Sequence, residues 1–264
     1  MTALNSLAKP FYLTAVLITL AACGSDLTGS NKQSVQLSFT TNAGSAVAAT
    51  GIRMSPDITV GANNELVLSK VQVVVGKIEL NEEDNTSCVG EIEENGDDHG
   101  EAGEECEDVS RDPLLVNIPV DDAAHVVLSV PLTAGTYRKL EAKLEPARDD
   151  ATAFNTANPN LVGKSVRVEG TYKGTAFVFT SAVRSGLEME FDPPLVIDAT
   201  MTNATVSLDV AKWFLDSNGN AIDPTSATPG SQALSRIEDN IRRSFHAFED
   251  DDHSGEDDHS EHHG

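Results

Sequence analysis

Basic residues are scarce in this 264-residue chain: 18 Lys and Arg stand against 42 Asp and Glu, a formal net charge of −24. Nucleic acid and anionic lipid surfaces are both held by clustered Lys and Arg, so neither is a partner by charge. Aromatic residues are equally thin, at 5% with a single tryptophan, Trp213. The longest apolar run, residues 11–20, is half the roughly 20 residues that a membrane-spanning helix needs. Catalytic signatures are missing too: there is no Gly-x-Ser-x-Gly elbow, His-Glu-x-x-His pair, Walker loop or Rossmann glycine set. Without a nucleophile, base and orienting group in view, an extracytoplasmic hydrolase is the weakest functional class.

What charge there is falls in two places. Residues 82–108 hold thirteen acidic residues and residues 249–264 hold eight, with no Lys or Arg in either stretch. Together these are half of the acidic total, which leaves the rest of the chain nearly neutral, as in an ordinary globular domain. The reading is one folded body, residues 34–248, with an acidic insert at 82–108 and an acidic tail at 249–264.

The first residues give an address. Lys9, the apolar run 11–20 and then Leu20-Ala21-Ala22-Cys23 follow in the order of an export signal over residues 1–22. The tetrapeptide resembles the bacterial lipobox, which implies that Cys23 becomes the acylated first residue of the mature protein. Gly24 after it resembles lipoproteins released to the outer membrane, so a lipid anchor in the cell envelope is the expected membrane contact. Residues 23–33, rich in Gly, Ser, Asn and Asp, then read as a flexible tether. With Cys23 taken by lipid, Cys88 and Cys106 remain as a pair in a compartment that permits disulfides. Seventeen residues separate them, and closing such a loop stabilises by about 3 kcal/mol in the chain-entropy model.

Period-two alternation dominates the body. Val35, Leu37 and Phe39 begin it; Leu66 and Leu68 start a second run, Val71, Val73 and Val75 continue on the opposite parity, and Ile78 and Leu80 switch again across Gly76, which suggests a bulge. Further strands are read at 114–120, 126–132, 137–144, 165–172, 176–183, 187–191, 195–198 and 204–215, separated by turn signals such as Lys173-Gly174 and Pro193-Pro194. Only 149–157 interrupts them as a short helix. So many short strands with so little helix predict a mainly β chain, an antiparallel β-sandwich. Leu234, Ile237, Ile241, Phe245 and Phe248 share one helical stripe and predict an amphipathic helix over 233–248, with Ser235 and Glu238 as a capping box.

Lys77-Ile78-Glu79-Leu80, the 114–120 run and Pro131-Leu132-Thr133-Ala134-Gly135-Thr136-Tyr137 together resemble the "kIel … vdl … paGtY" pattern of an uncharacterised domain family in bacterial surface lipoproteins. The resemblance covers residues 35–145. It implies a carboxypeptidase-regulatory-like or transthyretin-like β-sandwich and carries no catalytic residues.

Ligand chemistry is densest in the tail. His253, His259, His262 and His263 alternate with Asp251, Asp252, Asp257 and Asp258. Imidazole suits zinc and carboxylate suits calcium, so the tract offers weak multisite binding of divalent cations, against the plainer reading of a solvated acidic tail. Glu91, Glu93, Glu94, Asp97 and Asp98 in the insert do not follow EF-hand ligand order, and Asp216-Ser217-Asn218-Gly219-Asn220 reads as a hairpin turn. Glu188, Glu190 and Asp192 read as a solvated strand face, and His125 and His246 as structural. Trp213, if exposed, is a sugar-stacking platform; if buried, a core anchor. The expected role is non-enzymatic binding or structure in the envelope, with a carbohydrate- or protein-binding adhesion module as the alternative. Oligomeric state is not encoded in any of these signals.

Overall fold

A computed structural model describes residues 32–41, 57–82, 106–110, 112–120, 124–198 and 203–250. In chain order these form β1 (Lys32–Thr41), β2 (Ile58–Val60), β3 (Leu66–Asn81), β4 (Cys106–Ser110), β5 (Leu114–Ile118), β6 (His125–Thr133), β7 (Gly135–Leu144), α1 (Thr152–Ala157), β8 (Val166–Tyr172), β9 (Thr175–Ser181), β10 (Ser185–Ile197), β11 (Asn203–Leu208), α2 (Val210–Trp213), α3 (Gln232–Arg242) and β12 (Phe245–Glu249). The strands make two sheets. One runs β12-β11-β1-β6; the other runs β10-β7-β3-β8-β9, with β2, β4 and β5 also paired to β3.

The chain is therefore mainly β, and its pairing is antiparallel except between β1 and β11, which run parallel. The sheets face each other through their apolar sides. Leu37, Phe39, Val206 and Phe245 from the four-stranded sheet meet Val75, Ile78, Leu140 and Met189 from the larger one around a single small space. Alternation explains the arrangement, because residues two apart along a strand share a face.

β3 is the longest strand, at 16 residues, and carries partners on both edges. Val73 stands opposite both Val116 and Val166, and Val75 opposite both Leu114 and Leu144. One edge of β3 is thus shared end to end by β8 and then β7. The register shift with β7 falls between Gly76 and Ile78, where the sequence changes parity. A close backbone approach lies at Gly170, where a Cβ would meet the Val67 carbonyl oxygen at 2.0 Å, so no side chain fits there.

The Gly135-Thr136-Tyr137 segment has a definite job. After Thr133 the chain leaves the four-stranded sheet as β6 and enters the larger one as β7. Tyr137 is fully buried, and its hydroxyl donates to the Thr133 carbonyl at 3.0 Å, four residues back. This pins the corner between sheets, as tyrosine corners do in other sandwiches.

Five expectations are corrected. The helix over 233–248 ends at Arg242, and Phe245 and Phe248 belong to β12, which pairs with β11. The cap is Ser231, whose Oγ accepts from the Leu234 amide at 3.1 Å, so Ser235 and Glu238 form no capping box. The strand over 204–215 stops at Leu208; Asp209 then caps α2, which brings the adjacent Trp213 and Phe214 both into the core. Consecutive strand residues point to opposite faces, so a helical turn was needed to bury both. Pro193-Pro194 does not end a strand: β10 runs through it, with its register against β7 shifting between Glu190 and Leu195. The acidic segments also begin and end differently, since Cys106, Glu107 and Asp108 start β4, and Glu249 closes β12.

Removing the tyrosine hydroxyl tests the corner. Tyr137→Phe is expected to lower unfolding stability by about 1 kcal/mol, the worth of one buried hydrogen bond, with an unchanged m-value in urea titration.

Candidate functional site

Two polar constellations stand out, one on each sheet. On the larger sheet the core-facing positions Ile78, Leu80, Leu140, Ala142, Leu187 and Met189 leave Glu79, Glu141 and Glu188 on the outward face. Register places Glu79 opposite Glu141, and Glu141 opposite Glu188, in one row across three strands; Asp108 of β4 occupies the position next to Glu79. Side chains directly opposite in such a row have Cβ atoms about 5 Å apart. Glu188 is exposed, whereas Glu79 and Glu141 are each only 1% accessible. Buried carboxylates require compensation. Lys77 supplies part of it, its Nζ lying 2.6 Å from Glu79 Oε1, and Lys139 sits in the adjacent row between Asn81 and Glu190. Among the described residues no group of three or more His, Cys, Asp or Glu is disposed to hold a metal ion. The row is acidic across its strands, with the Lys77–Glu79 ion pair at β3.

The four-stranded sheet carries the second constellation on the side away from the core. Ser38 Oγ donates to Asn203 Oδ1 at 2.6 Å. The Asn203 amide donates in turn to Thr205 Oγ1 at 2.9 Å and to the Asp250 carbonyl at 2.8 Å. Thr205 Oγ1 then donates to Asp250 Oδ2 at 2.8 Å. Ser38, Asn203, Thr205 and Asp250 are all fully buried, so each bond lies in a medium where leaving it unmade is costly. Asp250 is the last described residue, and through it the start of the acidic tail is stapled to the sheet.

A shallow groove of about 470 Å³ crosses β3, β8 and β9, lined by Asp57, Ser69, Glu169, Thr171 and Val178 among others. Glu169 is ion-paired to Arg167 and lies 3.7 Å from Lys70 Nζ. The hydrogen bond from Arg167 is the largest influence on its carboxyl and holds it below the usual glutamate range.

Cys23, Cys88 and the tail residues Asp251, Asp252, His253, Asp257, Asp258, His259, His262 and His263 lie outside the described residues, as do Glu91, Glu93, Glu94, Asp97 and Asp98. Cys106 is the first residue of β4. Trp213 is fully buried and donates from Nε1 to Ser244 Oγ at 2.7 Å, which makes it a core anchor and removes the sugar platform. Asp216 spends its carboxylate inside its own loop: Oδ1 accepts from the amides of Asn218 and Asn220 at 2.8 and 2.9 Å, and Oδ2 from the Asn220 side chain at 3.1 Å. The backbone bond from Asn220 leads in lowering its pKa. The turn reading of 216–220 holds. His125 and His246 sit exposed on β6 and β12, so His246 is not a helix residue. Glu188, Glu190 and Asp192 are exposed on β10 as expected. Sequence reasoning missed Glu79, Glu141 and Asp250; the alternation Ile78-Glu79-Leu80 and Leu140-Glu141-Ala142 placed two of them outward, but register alone brings them together.

No family model matches this chain, and no curated protein matches it. Among solved structures it is similar to MbnP from Methylosinus trichosporium, at 11% sequence identity and a TM-score of 0.37, over 78% of this chain and 87% of that one.

The buried Asp250 has a measurable role in this arrangement. Asp250→Ala leaves the Thr205 hydroxyl without its acceptor and is expected to cost about 1–3 kcal/mol of stability, read by urea titration.

Proposed function

We propose that this chain is a lipid-anchored, non-enzymatic protein of the cell envelope whose β-sandwich presents a carboxylate- and histidine-rich tail to divalent cations such as zinc or calcium. The observation that carries this reading is the Asp250 staple. A buried carboxylate and backbone carbonyl fix the chain to the four-stranded sheet at residue 250. The next fourteen residues supply four histidines and six carboxylates and almost nothing apolar. Such a tract cannot fold by burying surface, so each cation it binds must offset the entropy of ordering it. Weak, multisite affinity follows.

The anchor rests on the lipobox resemblance at Leu20-Ala21-Ala22-Cys23, with attachment to the outer membrane suggested by Gly24. The sandwich is then a rigid carrier between lipid and tail. The Cys88–Cys106 bridge fits this address, because an oxidising compartment would keep it formed.

Calorimetric titration of the whole exported protein with zinc, and separately with calcium, beside a chain ending at Asp250 tests the tail. Ending at Asp250 keeps the staple intact. The full protein is expected to give several weak binding heats that the shortened chain lacks; equal heats from both would remove the tail from the function. Labelled palmitate tests the anchor: incorporation is expected in the native chain and its loss in Cys23→Ser.

A further inference from the structure

Among the described residues β9 is the last strand of its sheet, an edge with an unusual sequence. It pairs with β8 through a two-residue turn in which Lys173 and Gly174 both take positive φ, 49° and 78°. Such a turn makes Tyr172 and Thr175 a hydrogen-bonded pair, and the bonded pairs then recur at every second residue: Gly170 with Phe177, Val168 with Phe179, Val166 with Ser181. The amide and carbonyl groups of Ala176, Val178 and Thr180 therefore point the other way, along the free edge. Among the described residues nothing is hydrogen-bonded to them there.

Natural edge strands are commonly blunted by charge, proline or a bulge. At the opposite end of the strand order, β10 has Pro193, Pro194, three acidic residues and an irregular register. β9 has none of these. Its sequence, Thr175-Ala176-Phe177-Val178-Phe179-Thr180-Ser181, is close to a palindrome about Val178. Val178 itself is 58% exposed, while Phe177 and Phe179 point inward and pack edge-to-face on Phe214.

We infer that β9 is a self-association edge, and that its partner is β9 of a second copy of this chain, paired antiparallel about a two-fold axis through Val178. A two-fold pairing needs a surface complementary to itself. The near-palindrome supplies one: Val178 meets Val178 of the second copy, Phe177 meets Phe179, Ala176 meets Thr180, and Thr175 meets Ser181. The groups already aimed along the edge, on Ala176, Val178 and Thr180, are those this register joins, two hydrogen bonds for each facing pair. Phe177 and Phe179 of both copies stay on the core side of one continuous sheet.

Charge permits the contact although the chain as a whole carries −24. β9 has no charged residue, and the nearest carboxylate on the outward face of β8, Glu169, is matched by Arg167 and Lys70. The two copies of Glu169 would stand three strand spacings apart, about 14 Å, against a screening length of about 8 Å at physiological ionic strength. Association stops at two copies because the prolines of β10 withhold amide donors at the other end of the strand order.

Cysteine trapping in the full-length protein tests the axis. In the proposed register Val178 faces itself at about 5.5 Å between Cα atoms, within disulfide range. Ala176 is displaced from its own copy by four residues. Val178→Cys treated with diamide is expected to run largely as a covalent dimer on a non-reducing gel, and Ala176→Cys as monomer, with the native chain setting the background from its own cysteines. The combined A176C and T180C chain is expected to regain the dimer. Equal trapping of V178C and A176C, or no trapping of V178C above the native background, overturns the proposal.

Discussion

The two-sided pairing of β3 is the constraint on which the rest of the structure depends. Its sixteen residues are held on one edge by β8 and then β7, and on the other by β2, β5 and β4. A slip of one residue would turn Ile78 and Leu80 outward and bring Glu79 into the core, and every neighbour would suffer the same inversion. The bulge at Gly76 falls where β5 gives way to β4 on one edge, just past the point where β8 gives way to β7 on the other. β7 carries the constraint onward, because the Tyr137 corner joins it directly to β6 of the second sheet. Both sheets are therefore registered from a single strand.

Much of this was legible in sequence because a half-buried strand advertises itself by alternation. Leu66 to Leu80, with the parity change at Gly76, gave the central strand almost complete, and Lys173-Gly174 gave the β8–β9 turn. Misreadings arose where local spacing fits two geometries. Ile237, Ile241 and Phe245 lie four apart, which suits a helix stripe, yet an even spacing also keeps residues on one face of a strand. The choice was made by β11, which takes β12 as its outer partner in the sheet. Ser244, buried between the Trp213 indole and the Ile241 carbonyl, marks the point of change. Adjacent Trp213 and Phe214 could have signalled the break in the preceding strand, since a sheet cannot bury both against one core.

The polar constellations were not legible, for a different reason. Glu79 and Glu141 are separated by 62 residues of chain, and only strand register makes them neighbours. Asp250 sits in a run of four acidic residues, Glu249 to Asp252, where nothing in the local sequence sets it apart from its neighbours. What singles it out is Thr205, whose hydroxyl is committed to accept from Asn203 and so must donate elsewhere. Satisfying one buried hydroxyl gives Asp250 its structural role.

The acidic insert follows from the same accounting. It leaves the sheet at Asn81 and returns at Cys106, and these two residues stand opposite each other in the β3–β4 register. Its ends are closed by the sheet itself. Loop-closure entropy grows only slowly with length, about 0.6 kcal/mol for each doubling, so a long insert at a hairpin base costs little. Its charge is the larger burden, with thirteen acidic residues in the stretch from Glu82 to Asp108. The tail begins elsewhere, after β12 of the other sheet. Dividing the acidic residues between two sheets lets each tract leave from a position that pairing has already fixed.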